Sequence, residues 1–187
     1  MHDIQQIILE CCKNSRRAQK ELFDMFAPYM FGICMRYAKN RAEAEDILQE
    51  AFVKIFLNIK NYTATGSFEG WMRKVVVNTA ITCYRQNLKY LFIENIENIN
   101  EKEVENNNEE VENEYSEEQL LKIINSLPDG YRVIFNLYAI EGYKHKEIAE
   151  ILNIDENTSK SQFSRARKMI QQKLFQLSDK KIKIEEI

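Results

Sequence analysis

An acidic segment in the middle of the sequence divides it into two parts. Residues 94–118 include eleven acidic side chains and a single basic one, Lys102, so this stretch has a net charge of −10. Between residues 95 and 113 the sequence is mostly Asn and Glu, with isolated Ile and Val. Such a composition buries too little apolar surface to offset the entropy lost on folding. We therefore expect an extended or flexible segment here.

The alternative for this segment is a charged surface helix over residues 101–114. Seven Asn residues between positions 95 and 113 weaken that interpretation, because Asn has a poor helix propensity. The sequence thus predicts a domain at residues 1–93, an acidic flexible linker at 94–115 and a second domain at 116–187.

The two flanking parts carry the opposite sign of charge to the linker. The whole chain has a net charge of −3 and a pI of about 5.6. Residues 1–93, however, carry +4 and residues 119–187 carry +3. The acidic total therefore does not exclude a nucleic-acid partner, because the acidic residues are concentrated in one segment.

The composition is typical of a soluble helical protein. Hydrophobic residues make up 44% and charged residues 29% of the chain, and only five Gly and two Pro are present, so helices should dominate. No apolar run approaches the ~20 residues that a membrane span needs. The N-terminus lacks a basic region followed by an apolar core. We expect a cytoplasmic protein without membrane insertion.

The cysteines and histidines form no recognisable metal-binding pattern. Their spacing matches no zinc signature, so we expect reduced thiols, some of them packed as small apolar groups, and neither a metal nor another cofactor. The residues concerned are Cys11, Cys12, Cys34, Cys83, His2 and His145.

Helical periodicity is clear in the N-terminal part. We predict helices over Lys20–Tyr37, Ala44–Leu57 and about Phe68–Leu88. In the second of these, apolar residues recur at i, i+3, i+4, i+7, i+8 and i+11, a spacing that places them on one buried face. They are Ala44, Ile47, Leu48, Ala51, Phe52 and Ile55.

The C-terminal part carries several signals for the ends of helices. Ser116 and Gln119 form a capping box, and Gly142 and Asn153 are suited to positive φ. Asp155 or Asn157 can cap the last helix. The predicted order is a helix at Glu117–Ser126, a turn at Asp129–Gly130, helices at Tyr131–Glu141 and Lys144–Leu152, and a last helix that continues to about Ile170. We predict an all-α chain of two small helical domains joined by the acidic linker.

The last two of these helices have the layout of a helix-turn-helix. At about 100° per residue, five polar side chains of the second helix fall on one face and three apolar ones on the opposite face. The first set is Lys160, Ser161, Ser164, Arg165 and Lys168, and the second is Phe163, Ala166 and Ile170. Cations, long donors and small hydroxyls suit the major groove of DNA. The alternative is a solvated bundle helix, but the preceding helix and turn favour DNA contact.

Two surfaces of the N-terminal part are candidates for binding. Asp46, Gln49 and Glu50 form a polar patch at i, i+3 and i+4 that suits a basic or hydrogen-bonding partner helix, although an ordinary solvated face is the alternative. Further along, aromatic residues alternate with cations, as on surfaces that bind single-stranded nucleic acid. These residues are Tyr62, Phe68, Trp71 and Tyr84, with Lys60, Arg73, Lys74 and Arg85.

The helix that follows has one polar face. Its members lie within about 80° of one another at 100° per residue. They are Trp71, Lys74, Asn78, Thr82 and Arg85. For Trp71 and Phe68 a place in the core is the alternative, so Asn78 and Arg85 are the better candidates for binding.

Five segments resemble bacterial sigma factors. The segments Gly142–Leu152, Thr158–Arg167 and Leu127–Arg132 look like the fourth conserved region of that family, and Ala42–Phe52 looks like the second. The segment Phe68–Ile81 is similar to the part that melts and captures the minus-ten element. The chain departs from the family pattern at Thr82, where the family usually has Asp, and we assign that position no role. Within the family, the chain is most similar to the extracytoplasmic-function (ECF) group.

The resemblance implies a protein without catalytic activity that binds core RNA polymerase and directs initiation at specific promoters. Contact with the clamp helices of the largest polymerase subunit would fall to Asp46, Gln49 and Glu50. The minus-thirty-five element would be bound by Lys160, Ser161, Ser164 and Arg165, with Arg167 and Lys168 as backbone contacts. The minus-ten element would be bound by Tyr62, Phe68, Trp71, Lys74, Asn78 and Arg85.

The resemblance also implies roles for the loops and for a further partner. The loop Asn61–Ser67 would hold an extruded base. The acidic linker would run toward the RNA exit path, and an anti-sigma factor is an expected partner.

Two other classes of function are weighed against this one. A helix-turn-helix activator or repressor with an N-terminal sensor domain would bind duplex DNA without replacing the sigma subunit. An enzyme is disfavoured, because the sequence shows no nucleophile–base pair, metal-ligand set or glycine-rich phosphate loop.

Overall fold

The computed structural model describes residues 4–94 and 115–185, with side chains for 4–87 and 115–177. Within these ranges the secondary structure is helical throughout, which confirms the prediction of an all-α chain. The chain divides into two compact units, Met1–Leu88 and Lys89–Ile187. The predicted linker lies mostly outside the described residues, and the ranges given for the two domains and the linker stay predictions.

The N-terminal unit consists of four helices. Helix α1 packs against α2 and α2 packs against α3. A single 3-10 turn, Ile59–Asn61, follows α3. The helices are α1 (Ile4–Cys12), α2 (Arg16–Tyr37), α3 (Arg41–Asn58) and α4 (Phe68–Glu94).

Capping side chains explain why two of these helices begin earlier than the sequence analysis predicts. The Ser15 hydroxyl accepts a hydrogen bond from the backbone N–H of Ala18, so α2 begins at Arg16. The Asn40 side chain accepts from the backbone N–H of Glu43 at 2.9 Å, so α3 begins at Arg41. Helix α1 was not predicted. Its buried face is short, with Ile7 and Cys11 fully enclosed.

The core of the N-terminal unit confirms the predicted apolar stripe of α3. All six stripe residues are buried, and the ring of Phe52 lies edge-on to Phe23 with the ring centroids 4.6 Å apart. Helices α2 and α4 also contribute buried side chains to this unit, among them Leu22, Met30, Ile33, Met72, Val76 and Val77. Burial of this stripe orients α3 and so determines which side chains it presents to solvent.

The C-terminal unit is built around its last helix. Helices α5, α6 and α7 all pack against α8. One turn of π-helix, Asn136–Ile140, continues α6. The helices are α5 (Glu117–Asn125), α6 (Asp129–Phe135), α7 (His145–Leu152) and α8 (Glu156–Glu185).

Two predictions for this unit are wrong in detail. Asp129 and Gly130 do not form a turn but begin α6, because Pro128 occupies the cap position and the Asp129 carboxylate accepts from the buried Arg132 at 2.9 Å. The following helix does not run unbroken to Glu141. It widens into the π turn, in which the Glu141 N–H donates to the carbonyl of Asn136 at 3.0 Å.

The predicted helix ends are otherwise confirmed. Ser116 and Gln119 form the capping box with bonds of 3.3 and 3.0 Å. Gly142 has φ +78° and Asn153 has φ +55°. Asp155, rather than Asn157, directly precedes α8. Helix α8 also continues well past the predicted end at Ile170.

Candidate nucleic-acid and polymerase interfaces

Helices α7 and α8 form a helix-turn-helix. Helix α7 ends at Leu152, and Asn153 then adopts the left-handed conformation. In that conformation the N–H of Ile154 reaches back to the carbonyl of Ala149 at 3.0 Å, which reverses the chain tightly. Only three residues separate the two helices, so α8 crosses α7 closely, as a recognition helix does.

The exposed face of α8 carries the polar residues that the sequence places there. Four of the five are exposed and Lys168 is half-buried, whereas Ala166 on the opposite face is completely buried and Phe163 and Ile170 are half-buried. The exposed residues are Lys160, Ser161, Ser164 and Arg165, and Arg167 beside them is exposed as well. The structure thus presents this set to solvent on one helix, and their contact with DNA stays a prediction.

Lys160, the first cation of this face, forms an ion pair within its own helix. The Lys160 ammonium lies 2.7 Å from the carboxylate of Glu156, one turn earlier in α8. This hydrogen bond and charge lower the pKa of Glu156. The Lys160 charge is therefore partly compensated within the helix, whereas no ion pair of that kind is seen for Arg167 among the described residues.

Behind this face lies a cluster of rings from three elements. The imidazole of His145 is stacked on Tyr138, with centroids 4.2 Å apart, and lies edge-on to Phe163 at 5.8 Å. Tyr138 and Phe163 are themselves 4.4 Å apart. His145 Nδ1 is 3.0 Å from the hydroxyl of the fully buried Ser159. The sequence analysis had considered His145 only in relation to a metal site, which it did not predict.

The surroundings of His145 favour its neutral form. Burial lowers the pKa of His145 below its ordinary value of 6.5, and the nearby Lys160 lowers the pKa further, while Glu156 acts in the opposite direction. The folded protein therefore holds the imidazole uncharged at a pH where the unfolded chain has begun to take up a proton.

The predicted docking patch on α3 is exposed and longer than predicted. Asp46, Gln49 and Glu50 all face solvent. The same face continues with Val53, which is 57% exposed, and Leu57, which is 75% exposed. At 100° per residue these five side chains fall within about 100°, so they form one surface, the α3 stripe.

The signal for Val53 and Leu57 was present in the sequence. Both are apolar residues that fall outside the buried stripe of α3. Neighbouring exposed apolar side chains that form one patch are typical of interaction surfaces, whereas isolated ones are ordinary.

Within the α3 stripe, the carboxylates differ in their surroundings. Glu50 is paired with Lys54 at 2.6 Å and accepts a hydrogen bond from the thiol of Cys83 at 3.6 Å. The bond from Lys54 is the main reason why the pKa of Glu50 is lowered. Neither Asp46 nor Gln49 has a side-chain hydrogen bond or ion pair with another described residue. These two are therefore more available to a partner.

The polar face of α4 is present as predicted. Lys74, Asn78, Thr82 and Arg85 are exposed along it, and Trp71 at its start is half-buried. The Thr82 hydroxyl donates to the carbonyl of Asn78 at 2.8 Å, so this side chain is engaged by its own helix.

An aromatic cluster sits where the loop after α3 meets α4. The ring of Phe68 is stacked on Trp71 at 5.6 Å and lies edge-on to Tyr62 at 5.1 Å and Phe26 at 6.1 Å. Phe68 is only 8% exposed. The alternative interpretation thus holds for this residue: Phe68 belongs to the core and has no face free for stacking on a base.

The loop Asn61–Ser67 is closed by two hydrogen bonds. The Tyr62 hydroxyl donates to the carbonyl of Gly66 at 2.5 Å, and the Ser67 hydroxyl accepts from the N–H of Gly70 at 3.0 Å. A Cβ at Gly70 would lie 2.9 Å from that hydroxyl, so glycine lets Ser67 cap α4. The loop is therefore held close to the polar face of α4.

All four cysteines are unpaired. Burial is the main cause that raises the pKa of the Cys11 and Cys83 thiols to about 11 and that of Cys34 to about 12. Thiols with such pKa values are poor nucleophiles at neutral pH. In residues 4–94 and 115–185 there is no group of histidine, cysteine and carboxylate side chains able to hold a metal ion, and no helix long and apolar enough to cross a membrane.

Comparison with known proteins identifies both units. Residues 22–89 match the family model for sigma-70 region 2, and residues 117–170 match the model for sigma-70 region 4. The two matches together cover more than half of the chain, so the chain belongs to the sigma-70 family of RNA polymerase sigma factors. Within that family it is a sigma factor of the ECF group and directs promoter-specific transcription.

Several relatives resemble the chain over nearly its whole length. The ECF RNA polymerase sigma-E factor of Haemophilus influenzae is 26% identical over 91% of this chain and 94% of the relative. The ECF sigma factor SigW of Bacillus subtilis is 28% identical over 91% of this chain and 96% of the relative. Among solved structures, the sigma factor RpoE of Bartonella quintana, crystallised with the anti-sigma factor NepR, has a TM-score of 0.49 and 18% identity, covering 83% of this chain and 95% of that one.

The environment of His145 predicts a pH dependence of stability. Because the folded-state pKa is lowered below 6.5, this residue contributes stability that is present above pH 6.5 and is lost as the pH falls through the folded-state pKa. His145→Gln removes the titrating group. We expect the urea midpoint of the wild-type chain to fall more between about pH 7.5 and 5.5 than that of the variant, since ordinary carboxyl groups titrate lower. Equal pH dependence in both proteins would contradict this cause.

Proposed function

We propose that the two units of this sigma factor hold a promoter at two places while the N-terminal unit is docked on core RNA polymerase. In the C-terminal unit, α8 enters the major groove of the minus-thirty-five element. In the N-terminal unit, the α3 stripe contacts the clamp helices of the largest polymerase subunit, and the polar face of α4 binds the melted minus-ten strand. The observation that carries the proposal is the geometry of α8, which exposes its polar residues on one face and buries Ala166 on the opposite face. A tight turn at Asn153 joins this helix to α7.

Contact with duplex DNA divides by chemistry along α8. Arg165 lies within the polar face and offers a planar set of donors suited to the paired acceptors of guanine. Counted at about 100° per residue from Lys160, Arg167 lies at about 340°, just beyond the edge of this face. Phosphates run beside the groove at such an edge. Ser161 and Ser164 are small, which allows the helix backbone to approach the bases. In this proposal Arg165 reads the sequence with the two serines beside it, and Arg167 supplies affinity through the phosphates.

Binding of the melted strand falls to the exposed members of the α4 face. Lys74 and Arg85 supply positive charge for the backbone, and Asn78 supplies amide groups for base edges. Trp71 and Tyr62, which are half-buried, have ring surface available for stacking. Phe68 supports these two rings from the core and takes no part itself. Thr82 is left without a role.

Docking on the polymerase combines polar and apolar contacts. Asp46 and Gln49 are available for hydrogen bonds with a partner helix, and Val53 and Leu57 offer apolar surface next to them. Polar groups provide orientation and burial of the apolar pair provides affinity, as in other protein interfaces. Glu50, already paired with Lys54, contributes less.

The remaining features extend the same proposal. The acidic linker runs along a channel built for nucleic acid, which the net charge of −8 over residues 94–115 suits. The protein acts in the cytoplasm, where polymerase and promoter meet, without catalytic chemistry of its own. An anti-sigma factor that covers the DNA-binding surfaces is proposed as a further partner on the strength of membership in the ECF group.

Run-off transcription with purified core polymerase tests the function as a whole. We expect initiation at a specific start site only when this chain is added to core enzyme and a promoter library. A helix-turn-helix regulator would instead bind duplex DNA stably without polymerase and produce no new start site. Absence of any specific initiation, with tight duplex binding by the chain alone, would overturn the proposal.

The division of labour along α8 predicts different outcomes for two arginines. Arg165→Ala should cost about 1–3 kcal/mol and relax the base preference at one promoter position. Arg167→Ala should weaken binding to all sequences alike and reduce the salt dependence by about one phosphate contact. Binding of holoenzyme to a set of single-base promoter variants at two salt concentrations measures both. Identical behaviour of the two variants would show that the division is wrong.

The apolar end of the α3 stripe predicts a docking defect without loss of stability. Leu57→Ser should lower the affinity for core polymerase roughly tenfold, as expected when a buried interface anchor is removed. Its melting temperature should stay near that of the wild type because the side chain is 75% exposed. Met25→Ser, at another exposed apolar residue outside the stripe, is the matched control. Equal losses for the two variants in a core-binding assay would argue against docking through α3.

A further inference from the structure

His145 and Ser159 connect the two helices of the helix-turn-helix by a polar bond inside the fold. The imidazole Nδ1 at the start of α7 is 3.0 Å from the Ser159 hydroxyl in the first turn of α8. Ser159 is completely buried, although it stands directly before the exposed Lys160 and Ser161. The bond thus reaches α8 at the point where its DNA face begins.

The imidazole is held on two other sides by aromatic rings. Tyr138 of the π turn is parallel to it at 14° and 4.2 Å, and Phe163 of α8 is edge-on at 62° and 5.8 Å. Phe163 is also stacked on Phe135 of α6 at 6.0 Å. The side chain of His145 therefore joins the π turn, α7 and α8 at a single place.

The polar bond and the ring contacts constrain the helix in different ways. Aromatic rings pack favourably in both stacked and edge-on arrangements over a range of centroid separations of about 4.5–7 Å, so ring contacts allow more than one orientation. A hydrogen bond weakens steeply with distance and angle. A buried hydroxyl that loses its partner is also penalised for its lost solvation, which makes the paired arrangement strongly preferred. Of these contacts with His145, the bond to Ser159 is therefore the one that best defines the rotation of α8 about its axis.

We propose that His145 and Ser159 are positioning residues that set the rotation of α8, and with it the aim of Ser161, Ser164 and Arg165 at the base edges. The proposal rests on the proposed reading of duplex DNA by α8. Phosphate contacts through long cationic side chains adapt to a small rotation, whereas base contacts do not. Loss of the bond therefore reduces discrimination between sequences more than it reduces overall affinity.

The test compares discrimination with stability in a set of variants of the full chain, each bound to core polymerase. A duplex pool randomised upstream of the start site first yields the sequence preferred by the wild type. Binding is then measured for that sequence and for its single-base variants. We expect the wild type to discriminate about tenfold or more per base. In Ser159→Ala and His145→Phe, the ratio of the affinity for the preferred sequence to that for a single-base variant should fall to about threefold. Their affinity for non-preferred duplex should stay comparable with that of the wild type.

The double variant separates positioning from packing. His145→Phe keeps a stacked ring but leaves the Ser159 hydroxyl buried without its partner, so its melting temperature should fall. Adding Ser159→Ala removes that hydroxyl and should restore most of the melting temperature, while discrimination stays low. His145→Asn, whose amide occupies the place of Nδ1 without the ring, should retain more discrimination than His145→Phe. Ser126→Ala is the control, because it removes a serine hydroxyl that bonds the Ile123 carbonyl at the end of α5, outside α8, and its discrimination should match that of the wild type.

Recovery of discrimination together with stability in the double variant would overturn the proposal, because the pair would then act only in packing. Wild-type discrimination in a folded Ser159→Ala variant would do the same. If the wild-type holoenzyme shows no preference among upstream duplexes, the reading of DNA by α8 itself fails, and the positioning role fails with it.

Discussion

Every proposed binding surface of this sigma factor depends on a buried face of the helix that carries it. In α8 the completely buried Ala166 lies opposite the exposed polar residues, and in α3 six buried residues do the same for the α3 stripe. The core therefore does more than stabilise each unit, since it determines the direction of each functional side chain. A rotation of the helix by one residue position would turn an exposed face by about 100°, so that different side chains would face solvent.

Within each exposed face, local interactions make some side chains more available to a partner than others. Glu50 is engaged by Lys54 and by the thiol of Cys83, while its neighbour Asp46 stays available. Lys160 is compensated by Glu156 in the same way. Exposed pairs of this type contribute little to stability. Their consequence is functional, because a cation or carboxylate that is already paired contributes less to a new partner.

The sequence analysis was accurate where one helix determines the outcome and inaccurate where several meet. The buried stripe of α3, the capping box at Ser116 and the positive φ of Asn153 were all predicted, because each depends on residues within one or two turns. One error is local: the start of α6 at Asp129 was missed because Asp-Gly is a turn signal, and this signal concealed the i,i+3 pair with Arg132. The π turn was missed because it lies where α6 and α7 meet, whereas the burial of Phe68 was one of the two alternatives that the sequence left open. The exposure of Val53 and Leu57 could have been inferred, because both lie outside the buried stripe of α3. The sequence analysis limited the docking patch to polar residues and therefore left these two out.

The sequence by itself determined the class of fold, the order of the helices and which face of α8 carries positive charge. These follow from composition and from periodicity along a single helix, which are local properties. Only the tertiary structure decided how the helices meet. The bond between His145 and Ser159 joins residues 14 positions apart, and the rings around it come from three elements. No pattern along the chain encodes such a meeting, because it depends on the packing of α7 and the π turn against α8.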